Sequence, residues 1–120
     1  MGFVHVPVSV SAVGADQAGA YQGSFLVNTG AIDSMAPGDE LRRAGIQPVG
    51  RKTYELANGR RQEFEFGLAR IELMGEITGG RVIFGPEGVE PVLGVTAMEA
   101  AGITIDPVTQ TLKKLPAVRL

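Results

Sequence analysis

The chain contains no cysteine, which removes disulfides, thiolate chemistry and cysteine-ligated zinc together. Its single histidine, His5, cannot build a histidine cluster, and its place in an alternating segment gives it a surface or structural role. No basic run exceeds two residues and the net charge is -2, so neither nucleic acid nor an anionic membrane is favoured as a partner. Charged residues or glycines interrupt every apolar run, leaving nothing that resembles a signal peptide or a membrane-spanning helix. Met1-Gly2 does not open a myristoylation signal, because Val6 stands where Ser or Thr is required. The glycines from Gly75 to Gly80 lack a following Lys-Ser or Lys-Thr, so they do not make a phosphate cradle. Glu63, Glu65 and Glu72 alternate with apolar residues and read as a solvated strand face. Cytoplasmic residence, with no metal and no cofactor, is the expectation.

What is present points to one β-rich domain spanning residues 1–120. The 120 residues suffice for a core, and 44% hydrophobic with 20% charged residues is a globular balance. Seventeen glycines and seven prolines cut the chain into short segments, a mainly β pattern. Val4, Val6, Val8 and Val10 alternate with His5, Pro7, Ser9 and Ser11, which predicts a half-buried strand. Pro7 has no N–H, so it belongs at an edge or where nothing pairs with it. Residues 14–23 read as a turn region and 24–27 as a short buried strand. A short helix is expected over 39–44, stopped by Gly45.

Lys52 to Leu56 and Arg61 to Phe66 flank Ala57-Asn58-Gly59-Arg60, and Asn-Gly between strand-like arms is a strong hairpin signal. Phe64, Phe66 and Leu68 share one phase, Ile71 and Leu73 the other, which suggests a bulge near Gly67. Residues 81–84 read as a strand ending at Gly85-Pro86. Val92-Leu93-Gly94 precedes a helix for which Thr96 and Glu99 offer a capping box and Gly102 a stop. Strands over 103–106 and 111–115, around Asp106-Pro107, close the chain.

The most informative stretch is Phe25-Leu26-Val27-Asn28-Thr29-Gly30-Ala31, where three apolar residues run into a small, Gly-containing turn. Together with the Asn58-Gly59 hairpin and the Val92-Leu93-Gly94 strand before a helix, it resembles the retropepsin-like (retroviral-type) aspartic proteases. Their catalytic loop reads apolar-apolar-Asp-Thr-Gly-Ala; here Asn28 stands at the aspartate. The resemblance runs from about Val4 to Leu115 and is nearer to bacterial and cellular members than to viral ones. Viral members carry Arg at or just after the position held here by Val95-Thr96.

The resemblance implies a closed β-barrel with a flap hairpin and one short C-terminal helix. It also implies a homodimer, because a chain with one such loop must take the second from a symmetric partner. Aspartic proteases hydrolyse peptide bonds with two carboxylates that share one proton. By resemblance Asn28, Thr29 and Gly30 occupy the catalytic loop, with Thr29 bonding across the dimer axis and Gly30 allowing a tight turn. Ala31, Asp33, Val92 and Leu93 would contact an extended peptide substrate, although Asp33 reads equally as a solvated loop carboxylate. Ala57, Asn58 and Gly59 would form the flap tip, and Gly94 would pack against the loop. The implied activity is an aspartic endopeptidase made inactive by Asn28, most simply by design. A natural pseudoprotease that binds extended peptides, and a dimerisation domain without ligand, are the alternatives.

Overall fold

In the computed structural model, which describes residues 3–120, the alternating valines form strand β1 (His5–Ser11) and bury Val6, Val8 and Val10. A 3-10 turn at Gln17–Gly19, capped by Asp16, leads into β2 (Tyr21–Asn28). β3 (Ser34–Pro37) runs straight into α1 (Gly38–Arg43). β4 (Gly50–Glu55) and β5 (Arg61–Leu73) make one hairpin, and β5 makes a second with β6 (Glu76–Gly85). β7 (Val92–Gly94) feeds α2 (Val95–Ala101), and β8 (Ile103–Ile105) pairs with β9 (Leu112–Lys114).

The main sheet runs β1-β2-β7-β3-β6-β5-β4, and β1 pairs back onto β5. The protein is therefore mainly β, with six strands closed into a barrel and β4 lying outside the closure. β5 explains how both are possible. Its first half pairs with β4 from Arg61 to Phe66, and its far end meets β1 from Arg70 to Leu73. The hairpin thus projects from a barrel that has no free edge of its own at the point of closure. Phe25, Ile71, Leu73, Val82 and Leu93 fill the interior, and Leu41 of α1 and Met98 of α2 add to the same core.

Pro7 fits this barrel for a physical reason. Val27 N–H donates to the Val4 carbonyl at 2.8 Å, so by alternation the residues of β1 at even positions bond to β2 and Pro7 turns its nitrogen away. The β5 pairing on that other side begins only at Val8. Pro7 removes no ladder bond.

Several sequence expectations change. β2 starts at Tyr21 and β6 at Glu76, both earlier than their apolar segments suggested, and β3 and the 3-10 turn were not foreseen. There is no bulge at Gly67: the β5–β6 register is unbroken from Phe66↔Ile83 to Leu73↔Glu76. The phase change arises because the two faces of one regular strand are covered by different neighbours. Gly67 instead marks a close approach, since a Cβ there would lie 2.8 Å from the Gln47 carbonyl oxygen. The Thr96–Glu99 capping box does not form; the N-cap is Gly94, with no side-chain bond. Besides α2, the short helix expected after Pro37 forms as α1, from Gly38 and ending one residue earlier.

Candidate functional site

β2 and β7 run parallel, with Asn28 opposite Gly94, while β3 lies antiparallel on the other side of β7, with Met35 opposite Val92. The chain must therefore leave β2 at Asn28, pass around the end of β7 and return as β3. Residues 29–33 make that passage. It is tight: a Cβ on Gly94 would sit 2.6 Å from the Asp33 carbonyl carbon and 2.8 Å from the Ile32 oxygen.

Hydrogen bonds hold the loop. Asn28 Oδ1 accepts from Gly30 N–H at 3.0 Å, and the Asn28 carbonyl accepts from Ala31 N–H at 3.1 Å. Val95 N–H donates to the Ala31 carbonyl at 2.8 Å and Thr96 N–H to the Ile32 carbonyl at 3.2 Å. The first N–H groups of a helix have no partner within it. Here the loop carbonyls supply those partners, which is why α2 needs no side-chain cap. Gly94 N–H donates to Ser34 Oγ at 3.0 Å in the buried seam behind the loop. Asn28, Thr29 and Gly30 themselves are exposed.

Across from the loop stands the β4–β5 hairpin. Gly59 N–H donates to the Leu56 carbonyl at 2.9 Å and Leu56 N–H to the Arg60 carbonyl at 2.7 Å, with Gly59 at φ 83°. This is a type I turn followed by a glycine bulge, so only Gly59 uses the positive φ that Asn-Gly offered. Arg60 N–H donates to Asn58 Oδ1 at 2.9 Å and stiffens the tip.

A cleft of about 820 Å³ lies between loop and hairpin, bounded by Asn28, Gly30, Ala31 and Asp33 on one side and by residues 52–57 on the other. Met35, Ile83 and Val92 are among its apolar lining residues. Ala57 lines it too, but the other tip residues, Asn58 and Gly59, do not. Leu93, expected to line the subsites, is fully buried in the core instead. Neighbours on a strand face opposite ways, so Val92 turns to the cleft and Leu93 away from it.

Asp33 is not a solvated loop carboxylate: it is 7% exposed. Its Oδ2 accepts from the Tyr54 hydroxyl of β4 at 2.6 Å and lies 3.1 Å from Arg81 Nε of β6. The Arg81 guanidinium also lies 5.3 Å from the centre of the Phe66 ring. Burial, then the bond to Asp33 and its charge, push the Tyr54 phenol well above its ordinary value, with Arg81 opposing. Neither Tyr54 nor Arg81 was singled out from the sequence. The only local signal was Arg81 heading the apolar run Val82-Ile83-Phe84, a cation that would need an acidic partner once the strand was buried.

The outer face of the hairpin is a separate charged surface. Arg51 Nε meets Glu63 Oε1 at 2.7 Å, and Arg42 of α1 meets Glu65 at 3.0 Å. Glu63 and Glu65 are thus outward-facing and ion-paired, as Glu72 is with Arg70. His5 is exposed and lies 3.6 Å from Glu90. Among the described residues no group of three or more His, Asp or Glu could hold a metal ion, and no helix is long and apolar enough to cross a membrane. No protein-family model matches the chain, and no curated protein matches it in sequence.

Proposed function

We propose that the chain is a retropepsin-like aspartic protease domain whose catalytic carboxylate position is held by Asn28, and that it works as a homodimer on extended peptides. One observation carries the reading: Asn28-Thr29-Gly30 sits at a strand crossing braced by Gly94 and by the first turn of α2, facing a projecting hairpin across a cleft. In a symmetric pair two such loops would meet on the axis, each bringing residue 28.

The cleft suits an extended peptide. β4 is the last strand of its sheet. Because Leu56 bonds to β5 through its N–H, the alternation of an antiparallel pair turns the N–H and C=O groups of Thr53 and Glu55 outward. A peptide strand laid there gains main-chain hydrogen bonds, while Met35, Ile83 and Val92 receive its apolar side chains. With a carboxylate at position 28, the dimer would hold a dyad in which one group takes a proton from water and the other protonates the carbonyl oxygen. With Asn28 the amide can orient a peptide but cannot act as base, so the chain as it stands binds without cutting.

Sedimentation and calorimetry with a statine-type inhibitor test the binding half of this reading. The expected result is a concentration-dependent dimer that takes up the inhibitor and protects residues 52–60 from hydrogen exchange. A strict monomer at high micromolar concentration that ignores the inhibitor would leave the reading without support.

A further inference from the structure

Resting on that reading, we infer that the cleft selects peptides carrying an acidic side chain, and that Lys52 recognises it with help from Arg81. The inner wall of the hairpin carries a cation without a partner. Tyr54 and Phe64 share that face, their ring centres 6.2 Å apart, and Tyr54 reaches inward to Asp33. Lys52 is directly opposite Phe64 in the β4–β5 register and two residues from Tyr54, so its side chain belongs to the same face.

Glu55 also borders the cleft, but its parity is that of Arg51, whose guanidinium lies on the outer ladder with Glu63. Glu55 has no basic partner among the described residues, and its parity sets its side chain off the inner wall that carries Lys52 and Tyr54. Glu63 and Glu65 pair with Arg51 and Arg42 on the outer face. Asp33 Oδ2 accepts from the Tyr54 hydroxyl and is paired with Arg81 Nε. Of the charged residues that line the cleft, Asp33 and Arg81 satisfy each other, and Lys52 is the cation on the inner wall left without a partner. Lys52 is exposed and has no acidic partner among the described residues.

A peptide lying along the β4 edge would place alternate side chains on this wall, beside an apolar floor that lowers the local dielectric. A Glu or Asp there supplies the partner that Lys52 lacks, whereas a Lys or Arg meets its uncompensated charge. Arg81 is held in place from two sides, by Asp33 and by the Phe66 ring, so its remaining N–H groups are pre-oriented.

The test uses blocked nonapeptides of Val, Leu and Ala in which one Glu, Gln or Lys is moved through every position. Binding to the intact chain is read by competition against a fluorescent peptide. At one position, or at positions two apart, the Glu peptide should bind on the order of fivefold more tightly than its Gln counterpart at low salt. The ratio should fall toward one in 0.5 M salt, as screening requires (about 0.5 M suffices). In Lys52→Met the ratio should collapse, and in Lys52→Glu the preference should pass to Lys-containing peptides. Lys52 is exposed, so neither variant threatens the fold. Peptides that bind with no Glu–Gln difference, or a difference that survives both variants, would overturn the inference and leave the peptide cleft standing. No binding by any peptide would remove the cleft reading and this inference with it.

Discussion

The Tyr54 hydroxyl and the Asp33 carboxylate, 21 residues apart, are joined by a 2.6 Å hydrogen bond that ties the projecting hairpin to the loop carrying Asn28. Because β4 pairs with β5 and, among the described residues, with no second strand, this bond is a main restraint on how the hairpin stands over the cleft. Tyr54→Phe keeps the ring against Phe64 and removes only the hydroxyl. A hydrogen bond to a charged group contributes about 1.5–3 kcal/mol, and partial exposure of Tyr54 places the loss at the lower end. Urea unfolding should show a loss of about 1.5 kcal/mol, and hydrogen exchange should quicken over residues 52–57. Unchanged exchange there would mean that the bond does not restrain the hairpin.

The same bond makes alkaline stability readable. The chain has two tyrosines. Both phenols are raised: Tyr54 by burial and then by Asp33, and Tyr21 by burial and then by Glu40 and Asp39. A group whose folded value exceeds its unfolded value stabilises fully below the unfolded value, near pH 10 for tyrosine. That stabilisation is lost as pH climbs through the folded values. Denaturation midpoints should therefore hold up to about pH 10 and fall above it. Phenolate absorbance in the native protein should lag behind that of the urea-unfolded chain. Coincident titration curves in the two states would contradict the geometry around both rings.

Gly94 offers a test of the strand crossing. A Cβ there would meet backbone atoms of Asp33 and Ile32 between 2.6 and 2.8 Å, and backbone cannot rotate out of the way as a side chain can. Overpacking of this kind costs about 1–3 kcal/mol and sometimes more, so Gly94→Ala should destabilise by about 3 kcal/mol. It should also disturb the amide signals of Ala31 and Ile32, whose carbonyls bind α2. Gly80→Ala, where a Cβ meets nothing within 4 Å, is the matched control and should be nearly silent.

Patterns within one strand were readable from the residues, and contacts between strands were not. The valines of β1, the hairpin arms and the Val92-Leu93-Gly94 strand before α2 all announced themselves through period and turn chemistry. Val92 and Leu93 are neighbours on one strand, so alternation gives the cleft only one of them, and Leu93 goes to the core. The partners of Asp33 lie on β4 and β6, and no local pattern says which distant cation or phenol a carboxylate will meet. The Thr96–Glu99 box was a sound local motif overridden by tertiary structure, since the loop carbonyls reached the α2 N–H groups first.

The activity itself is tested by Asn28→Asp. Asn28 Oδ1 accepts from Gly30 N–H at 3.0 Å, and a carboxylate oxygen accepts from the same donor, so the loop should keep its shape. What changes is proton chemistry. An amide takes no proton at ordinary pH and cannot activate water, and removing one positioned acid–base group costs about 10²–10⁴-fold in rate. In a homodimer the amide removes both groups at once, so the chain with Asn28 should be inert and the gain in Asn28→Asp at least that large. Two carboxylates on one axis cannot both ionise freely. They should titrate as a coupled pair, giving a bell-shaped rate profile on the acid side of neutrality that the Asn28 protein lacks. The measurement is cleavage of a mixed peptide library from acidic to neutral pH, with sedimentation run on the same samples. A folded, dimeric Asn28→Asp protein that cuts nothing would end the protease reading and favour a module that only binds peptides.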